Sequence, residues 1–556
     1  MRGTRHTIAL AALTLLAAAA CDREPLGEPS PHITATLSEG EAPVLLELPG
    51  GDTLNLSAPV VEFYRQRGYR QAWTDYDEIL ERGWTLLRAM EQSQADGLDP
   101  ALYRYEAAHR MVQEVENDSI AEQDEPAQMA TADMVLSEVF GRYANHVAGG
   151  IVDPTGSGIE WRIPKDSVDV GALLTRLASD EDPAAIVASL RPGAPQYALL
   201  MDGLARYHDI AAKGGWPEVP ADVPDEVGAR SPAVALLRQR LIAEADAEEA
   251  RLAQAGSAQP EVFDENLKQA LEHFQERHSI DADGAVGPTT LEQLNTSAEQ
   301  RVQQLRLNLD QWRWLPDDLG ERYILVNVAG FEMELVENDS VLIAMDVVVG
   351  QEGWETPIFR DTMESIVVNP YWNVPGGIME DEVLPALRRD PGYLASNNME
   401  VVRGNNVVDA GSIDWTGVSA NSGYRVRQRP GSDNALGQVK FLFPNANDIY
   451  LHDTPARAPF DASSRAFSHG CIRLEKPLEL ARILLDRVTD TPSSQLDALL
   501  ARDTEQWIRV TEPLPVYILY FTAWAGEDGT MRFHPDVYER DERLREQASS
   551  ALRAAD

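Results

Sequence analysis

Ser468-His469-Gly470-Cys471-Ile472-Arg473-Leu474 is the stretch on which the reading of this chain turns. It holds one of only two cysteines in 556 residues, and the other, Cys21, sits near the N-terminus. A thiol attacks as its thiolate, so a nucleophilic cysteine needs a neighbour that takes its proton. Two histidines are candidates: His469, just ahead of Cys471, and His452, upstream in Asn447-Asp448-Ile449-Tyr450-Leu451-His452-Asp453-Thr454. An imidazole suits the task because its ordinary pKa lies near neutrality. Asp448 to His452 reads as a strand, and Ala466 to Cys471 as a strand or loop that Gly470 lets turn sharply before a helix near Pro477. Adjacent strands would bring His452 beside Cys471. Arg473 shares a strand face with Cys471 if the backbone stays extended, and its guanidinium fork matches a carboxylate, although a structural ion pair is the competing reading. Zinc is another chemical reading, since His452, Asp453, His469 and Cys471 are all possible ligands. The compact ligand pair of a metalloprotease is missing, and no metal or cofactor is expected.

The histidine, the gap and then Ser-His-Gly-Cys resemble the pattern of the L,D-transpeptidases of bacterial cell walls. A longer signature continues in Gln428-Arg429-Pro430-Gly431, Asn434-Ala435-Leu436-Gly437, Val439-Lys440-Phe441 and Phe443-Pro444-Asn445. The resemblance implies Cys471 as nucleophile and His452 as general base or imidazolium partner. It implies His469 and Gly470 beside an oxyanion site that uses the backbone N–H of Cys471. Ser468, Tyr450 and Arg473 are then expected substrate contacts. Arginine at position 473 is familiar in the large Gram-negative branch of the family. A working site should also contain a thiol that alkylates unusually fast near neutral pH.

The fold class expected is multidomain α+β. Residues 301–525 form a β-rich catalytic domain, with Val/Ile-rich segments at Tyr323 to Val328, Glu332 to Val336, Val341 to Val349 and Ser365 to Val368. Strand rhythm lapses after Tyr371-Trp372, too long a gap for a structureless loop. An inserted cap at about 376–436 fits better, with Trp372 and Tyr424 as walls of the donor site. Trp312 and Trp314 in Leu305 to Pro316 are expected to brace the junction. Residues 231–296, with Phe274-Gln275 and Asp283-Gly284-Ala285-Val286-Gly287-Pro288-Thr289-Thr290-Leu291, are similar to the three-helix peptidoglycan-binding domain. An acidic, Ala-rich insertion, Ala243 to Pro260, interrupts it, and Thr289 or Thr290 is the expected cap of the last helix. Residues 214–230 read as a linker. Residues 44–213 read as a mainly helical domain resembling the family's scaffold, through Phe63 to Tyr69, Ala95-Asp96-Gly97-Leu98-Asp99 and Gly149 to Pro154. These motifs read as helix ends and turns. Residues 526–556 read as a tail ending in an exposed helix.

The N-terminus carries Arg2 and Arg5, an apolar run from Ile8 to Leu16 and small residues before Cys21. This is a signal peptide over 1–20, with Cys21 the expected lipidation site and 21–43 a loose tether. Cys21 and Cys471 are not expected to pair. The net charge of −42 repels nucleic acid and says nothing of fold. The expected protein is a periplasmic, lipid-anchored L,D-transpeptidase that builds 3→3 cross-links. Its partners are peptidoglycan stem peptides and glycan, the membrane through the lipid, and peptidoglycan synthases. An L,D-carboxypeptidase or an enzyme attaching envelope proteins differs only in the acceptor. A non-catalytic peptidoglycan-binding lipoprotein is the alternative of another class.

Overall fold

The computed structural model describes residues 28–38, 44–48, 53–75, 78–116, 125–154, 161, 163, 167–179, 181–244, 247–255, 258–390, 392–526 and 528–555. The expected signal peptide and Cys21, the expected lipidation site, lie outside the described residues.

One compact unit comprises the described residues of Met1–Leu87, Ala107–Gly141 and Asp169–Glu181. It is mainly helical, with one hairpin of β1 (Val44–Glu47) and β2 (Thr53–Leu56). Part of the expected tether is ordered: Pro31–Ser38 is a helix that buries Ile33 and Leu37. The buried Asp133 carboxylate organises the interior, accepting from the backbone N–H groups of Ala72, Trp73 and Thr74 and from the Tyr64 hydroxyl at 2.6 Å. A buried charge is tolerated when it is this well hydrogen-bonded. The Phe63 to Tyr69 motif is therefore architecture.

The second unit comprises the described residues of Arg88–Glu106, Arg142–Val168 and Asp182–Asp556. Asp96 is fully buried in it, paired with Arg191 at 2.6 Å and hydrogen-bonded by Tyr143 at 2.8 Å. Gly97 follows at φ +75°, the left-handed end of a short 3-10 turn. Asp310, on helix Ala298–Trp312, accepts from the N–H groups of Ile151 and Val152. Trp312 stacks on Phe521 at 4.9 Å and Trp314 meets Trp161 edge-on at 5.3 Å, so both tryptophans are packing residues.

The described residues of 231–296 hold four helices, Pro232–Glu244, Ala247–Ala255, Glu265–Arg277 and Pro288–Asn295. The acidic insertion supplies the second of them, where three helices were expected. Its Glu249 is buried and meets Arg277 at 2.8 Å, which is why the insertion folds instead of looping out. The last helix is capped by Gly287 with Pro288 in its first turn, not by a threonine. Thr290 is buried and accepts from Gln275 at 3.1 Å. The preceding linker is irregular but packed: Val219 is buried and exchanges hydrogen bonds with Asn295.

The strands of the expected catalytic domain are β3 (Arg322–Asn327), β4 (Glu332–Glu337), β5 (Ser340–Gly350), β6 (Phe359–Val368), β7 (Trp372–Asn373), β8 (Met399–Arg403), β9 (Asn406–Val408), β10 (Tyr424–Gln428), β11 (Val439–Leu442), β12 (Leu451–His452), β13 (Ala466–Ser468), β14 (Ile472–Leu474) and β15 (Gln506–Leu519). The main sheet runs β13-β5-β14-β12-β11-β6-β15-β3-β4, and a β4–β5 pairing closes it on itself. Closure spares the long strands an open edge. The cap has its own sheet, β7-β10-β8-β9, over a core that includes Met379, Val383, Leu384, Leu387 and Val426. It begins with β7 at Trp372, earlier than expected, because a two-residue strand carries no periodicity. Beyond β15 lie β16 (Ala523–Ala525), β17 (Met531–Phe533) and helix Arg540–Ala555. This segment is not the exposed tail expected. Tyr538 and Leu544 are buried, and the Asp541 carboxylate accepts from the buried Thr522 hydroxyl.

Candidate active site

β12 and β14 are parallel neighbours, with Leu451 opposite Ile472 and His452 opposite Arg473. Ile472 and Leu474 point into the core, so the two-residue period turns Cys471 and Arg473 to the other face. There Cys471, His452, Tyr450, Ser468, His469 and Arg473 line one cavity of about 190 Å³. The cap contributes Trp372, Pro375, Ile378 and Glu382 to its wall. Tyr424 does not reach it. The ring lies in the cap's own packing, 6.5 Å from Trp415 and beneath Arg403, because its strand meets the cavity through β7 and not directly.

Gly470 takes φ +105°, a conformation that favours glycine, and a Cβ there would press on Ile449 at 3.2 Å. Its N–H donates to the Ser468 hydroxyl at 3.1 Å, and that hydroxyl donates to the Cys471 carbonyl at 2.5 Å. The Gly470 N–H is therefore committed, and this corrects its expected place in the oxyanion site: Gly470 supplies the bend, not a donor. Ser468 is likewise a buried brace of the turn. The Cys471 N–H has no partner among the described residues. His469 faces the cap, with Nε2 at 3.1 Å from Glu382 and its ring 5.0 Å from Trp354.

Residues 321–505 match the family described as the L,D-transpeptidase catalytic domain. The chain carries an L,D-transpeptidase catalytic domain. Residues 58–204 match the scaffold domain, and residues 230–294 the "Putative peptidoglycan binding domain". A curated protein of Haemophilus influenzae, described as "Putative L,D-transpeptidase", is 35% identical over 251 residues, 45% of this chain and 50% of that protein. The chain thus spans about half the length of that relative. Among solved structures, an L,D-transpeptidase from Mycobacterium smegmatis is 13% identical, covering 36% of this chain and 58% of its own at a TM-score of 0.16. One from Xylanimonas cellulosilytica is 14% identical, covering 54% and 99%, at 0.15. Overlaps this slight carry no weight, and the assignment rests on the domain matches.

In this L,D-transpeptidase domain His452 is buried, with Nδ1 2.5 Å from the Asp453 carbonyl. A carbonyl only accepts, so Nδ1 carries the proton and Nε2 keeps a free lone pair. Burial pushes the imidazole down to about 3; the Asp453 carbonyl opposes this, and Arg473 and Lys440 add to it. Burial pushes the Cys471 thiol up to about 11, against the hydrogen bonding of Tyr450. Sγ donates to the Asp448 carbonyl at 3.7 Å and not to the imidazole. Burial thus favours the neutral form of both groups in the resting pair, which stands against a thiol reactive near neutral pH. Tyr450 lies against the thiol, its phenol pushed well above the usual range by burial and then by coupling to the thiolate form of Cys471. Arg473 makes no ion pair among the described residues, so the structural alternative for it fails. The four candidate zinc ligands do not converge either. His452 Nδ1 is taken by Asp453 O, the Asp453 carboxylate by the N–H groups of Gln438 and Thr454, and His469 by Glu382.

Sequence reasoning missed Trp354 and Glu382, which hold His469, and Thr356, whose hydroxyl donates to the Gly470 carbonyl at 2.8 Å. Glycine Gly350 was the available signal, since a Cβ there would overlap the Trp354 carbonyl oxygen at 1.9 Å. A larger cavity of about 590 Å³ runs along β3, β4 and β5. Neither Cys471 nor His452 lines it.

Proposed function

We propose that the protein is a peptidoglycan L,D-transpeptidase that forms 3→3 cross-links through a thioester on Cys471. The observation that carries this is a single cavity holding a cysteine with an unpartnered N–H, an imidazole with a free Nε2 and an unpaired guanidinium. A stem tetrapeptide ending in diaminopimelate and D-Ala presents a carboxylate to Arg473. Sγ attacks the carbonyl of the L,D bond as its proton passes to His452 Nε2, and the developing oxyanion takes the Cys471 N–H. Burial holds the thiol up and the imidazole down, which favours attack and proton transfer going together over a preformed ion pair. The C–N bond breaks, His452 returns the proton to the leaving amine, and D-Ala departs. The side-chain amine of a second stem then attacks the thioester and restores the thiol. The catalytic residues in this reading are Cys471 and His452, with Arg473, Tyr450 and Trp372 as substrate contacts. His469 orients the cap side of the cavity.

The setting proposed is the periplasm, with Cys21 lipidated and residues 231–296 engaging the glycan or stem. Peptidoglycan synthases are the proposed protein partners. Mass spectrometry of muropeptides tests the reading, after protein lacking residues 1–21 meets disaccharide-tetrapeptide, alongside Cys471→Ala. A cysteine-dependent dimer with loss of D-Ala is expected. Tripeptide alone would make water the acceptor, and retained substrate without product would favour the binding-module alternative.

A further inference from the structure

The peptide group that joins Gly470 to Cys471 is planar, so its carbonyl and its N–H point in opposite directions along one rigid plate. Whatever grips the Gly470 carbonyl also aims the Cys471 N–H. That grip is the Thr356 hydroxyl, fully buried and 2.8 Å from the carbonyl oxygen. The hydroxyl accepts from the Gly350 N–H at 2.9 Å, which leaves its own hydrogen for Gly470. The same loop also takes hold one residue pair away, where the Gln351 N–H donates to the Ser468 carbonyl at 2.9 Å.

The loop is gripped in turn from far along the chain. The Tyr538 hydroxyl donates to the Gly350 carbonyl at 2.5 Å and accepts from the Thr356 N–H at 3.3 Å. Arg540 donates to the Thr356 carbonyl at 3.3 Å. Tyr538 is held by its neighbours. Its ring stacks on Tyr520 at 5.6 Å, and its N–H donates to the Tyr520 hydroxyl, which is anchored on Asp536 at 2.6 Å. Tyr538 and Arg540 lie outside residues 321–505, the part that matches the catalytic-domain family.

We propose that Tyr538 is a positioning residue for acyl transfer: it fixes the Gly350–Thr356 loop, and Thr356 thereby aims the Cys471 N–H at the oxyanion. This rests on the transpeptidase reading above. Rate falls steeply when a donor is misaimed, while simple alkylation of the same sulfur uses no oxyanion donor.

Tyr538→Phe keeps the stacked ring and removes only the hydroxyl, and Thr356→Val removes the second link. D-Ala release from disaccharide-tetrapeptide by each variant should show kcat lower by about tenfold with KM within about twofold. Iodoacetamide should alkylate Cys471 at the wild-type rate. Thr356→Ser, which keeps the hydroxyl, should restore most of kcat. The double variant should lose no more than the worse single one, since both act through one path. A Tyr538→Phe enzyme with wild-type kcat overturns the proposal. So does a loss of kcat matched by faster alkylation and a lower Tm, which would make Tyr538 a stabiliser of the fold alone. An inactive wild-type protein overturns the transpeptidase reading itself, and the proposal with it.

Discussion

Two regions of this molecule bury titratable groups, and they treat them in opposite ways. Around residues 240–278, Arg240 meets Glu244 at 2.6 Å with both side chains fully buried, and Arg277 meets Glu249 at 2.8 Å. Tyr207 donates to Glu244 at 2.8 Å, and the Arg240 guanidinium lies 3.9 Å over the Trp216 ring. Burial alone would push the Glu244 carboxyl up, yet Arg240, His278 and Arg277 hold it well below the usual range. In the cavity of Cys471 no counter-charge overcomes burial, so the thiol and the imidazole are both neutral and the nearby guanidinium is unpaired. Charges that satisfy one another lock a structure, whereas groups held neutral beside a lone cation are arranged for a ligand that brings its own charge.

The comparison breaks most visibly at His452. His452→Gln should lower D-Ala release by about 10²–10⁴-fold with the fold intact by circular dichroism, as loss of a general base does. Retained activity would remove the imidazole from the chemistry. At the other region Glu244→Ala strands Arg240 without its carboxylate. Urea unfolding should then report a loss of about 3–5 kcal/mol, with turnover per folded molecule unchanged. A loss under about 1 kcal/mol would mean that the buried pair locks nothing. The smallest effect sharpens the picture of the thiol. Its pKa is raised, so the thiolate fraction is small at neutrality and grows with pH all the way to about 11. Alkylation of Cys471 by iodoacetamide should therefore rise about tenfold per pH unit between roughly pH 7 and 9. A plateau in that window would show a preformed thiolate.

The parts of this protein legible in its sequence are those whose signal is local. Gly470 before the cysteine announces a bend, and φ +105° delivers it. Pro477 starts the following helix, and alternating Val and Ile mark β3 to β6. Trp372 reaches the cavity, and Tyr424, which looks the same in sequence, does not; Trp372 lies on the edge strand β7 that follows β6, Tyr424 on the next strand of the cap sheet, and no local pattern encodes that. The helix Ala247–Ala255 was hidden because an acidic, Ala-rich run reads as solvent-exposed unless Arg277 is known to wait for Glu249. The environment of the thiol was not legible for a related reason. Spacing places a histidine beside a cysteine, but burial, set by the whole cap and sheet, decides whether either is charged. Thr356 and Tyr538 carry no motif at all, since each matters through a single hydroxyl and a partner distant in the chain.

The hydrogen bonds of Tyr538 to the Gly350–Thr356 loop also order events in time. A ribosome delivers Cys471 and both strands of its cavity before it delivers Tyr538. Until that tyrosine is made and docks, the frame behind the nucleophile is one brace short. Along the chain, the brace is thus made after the cavity it serves.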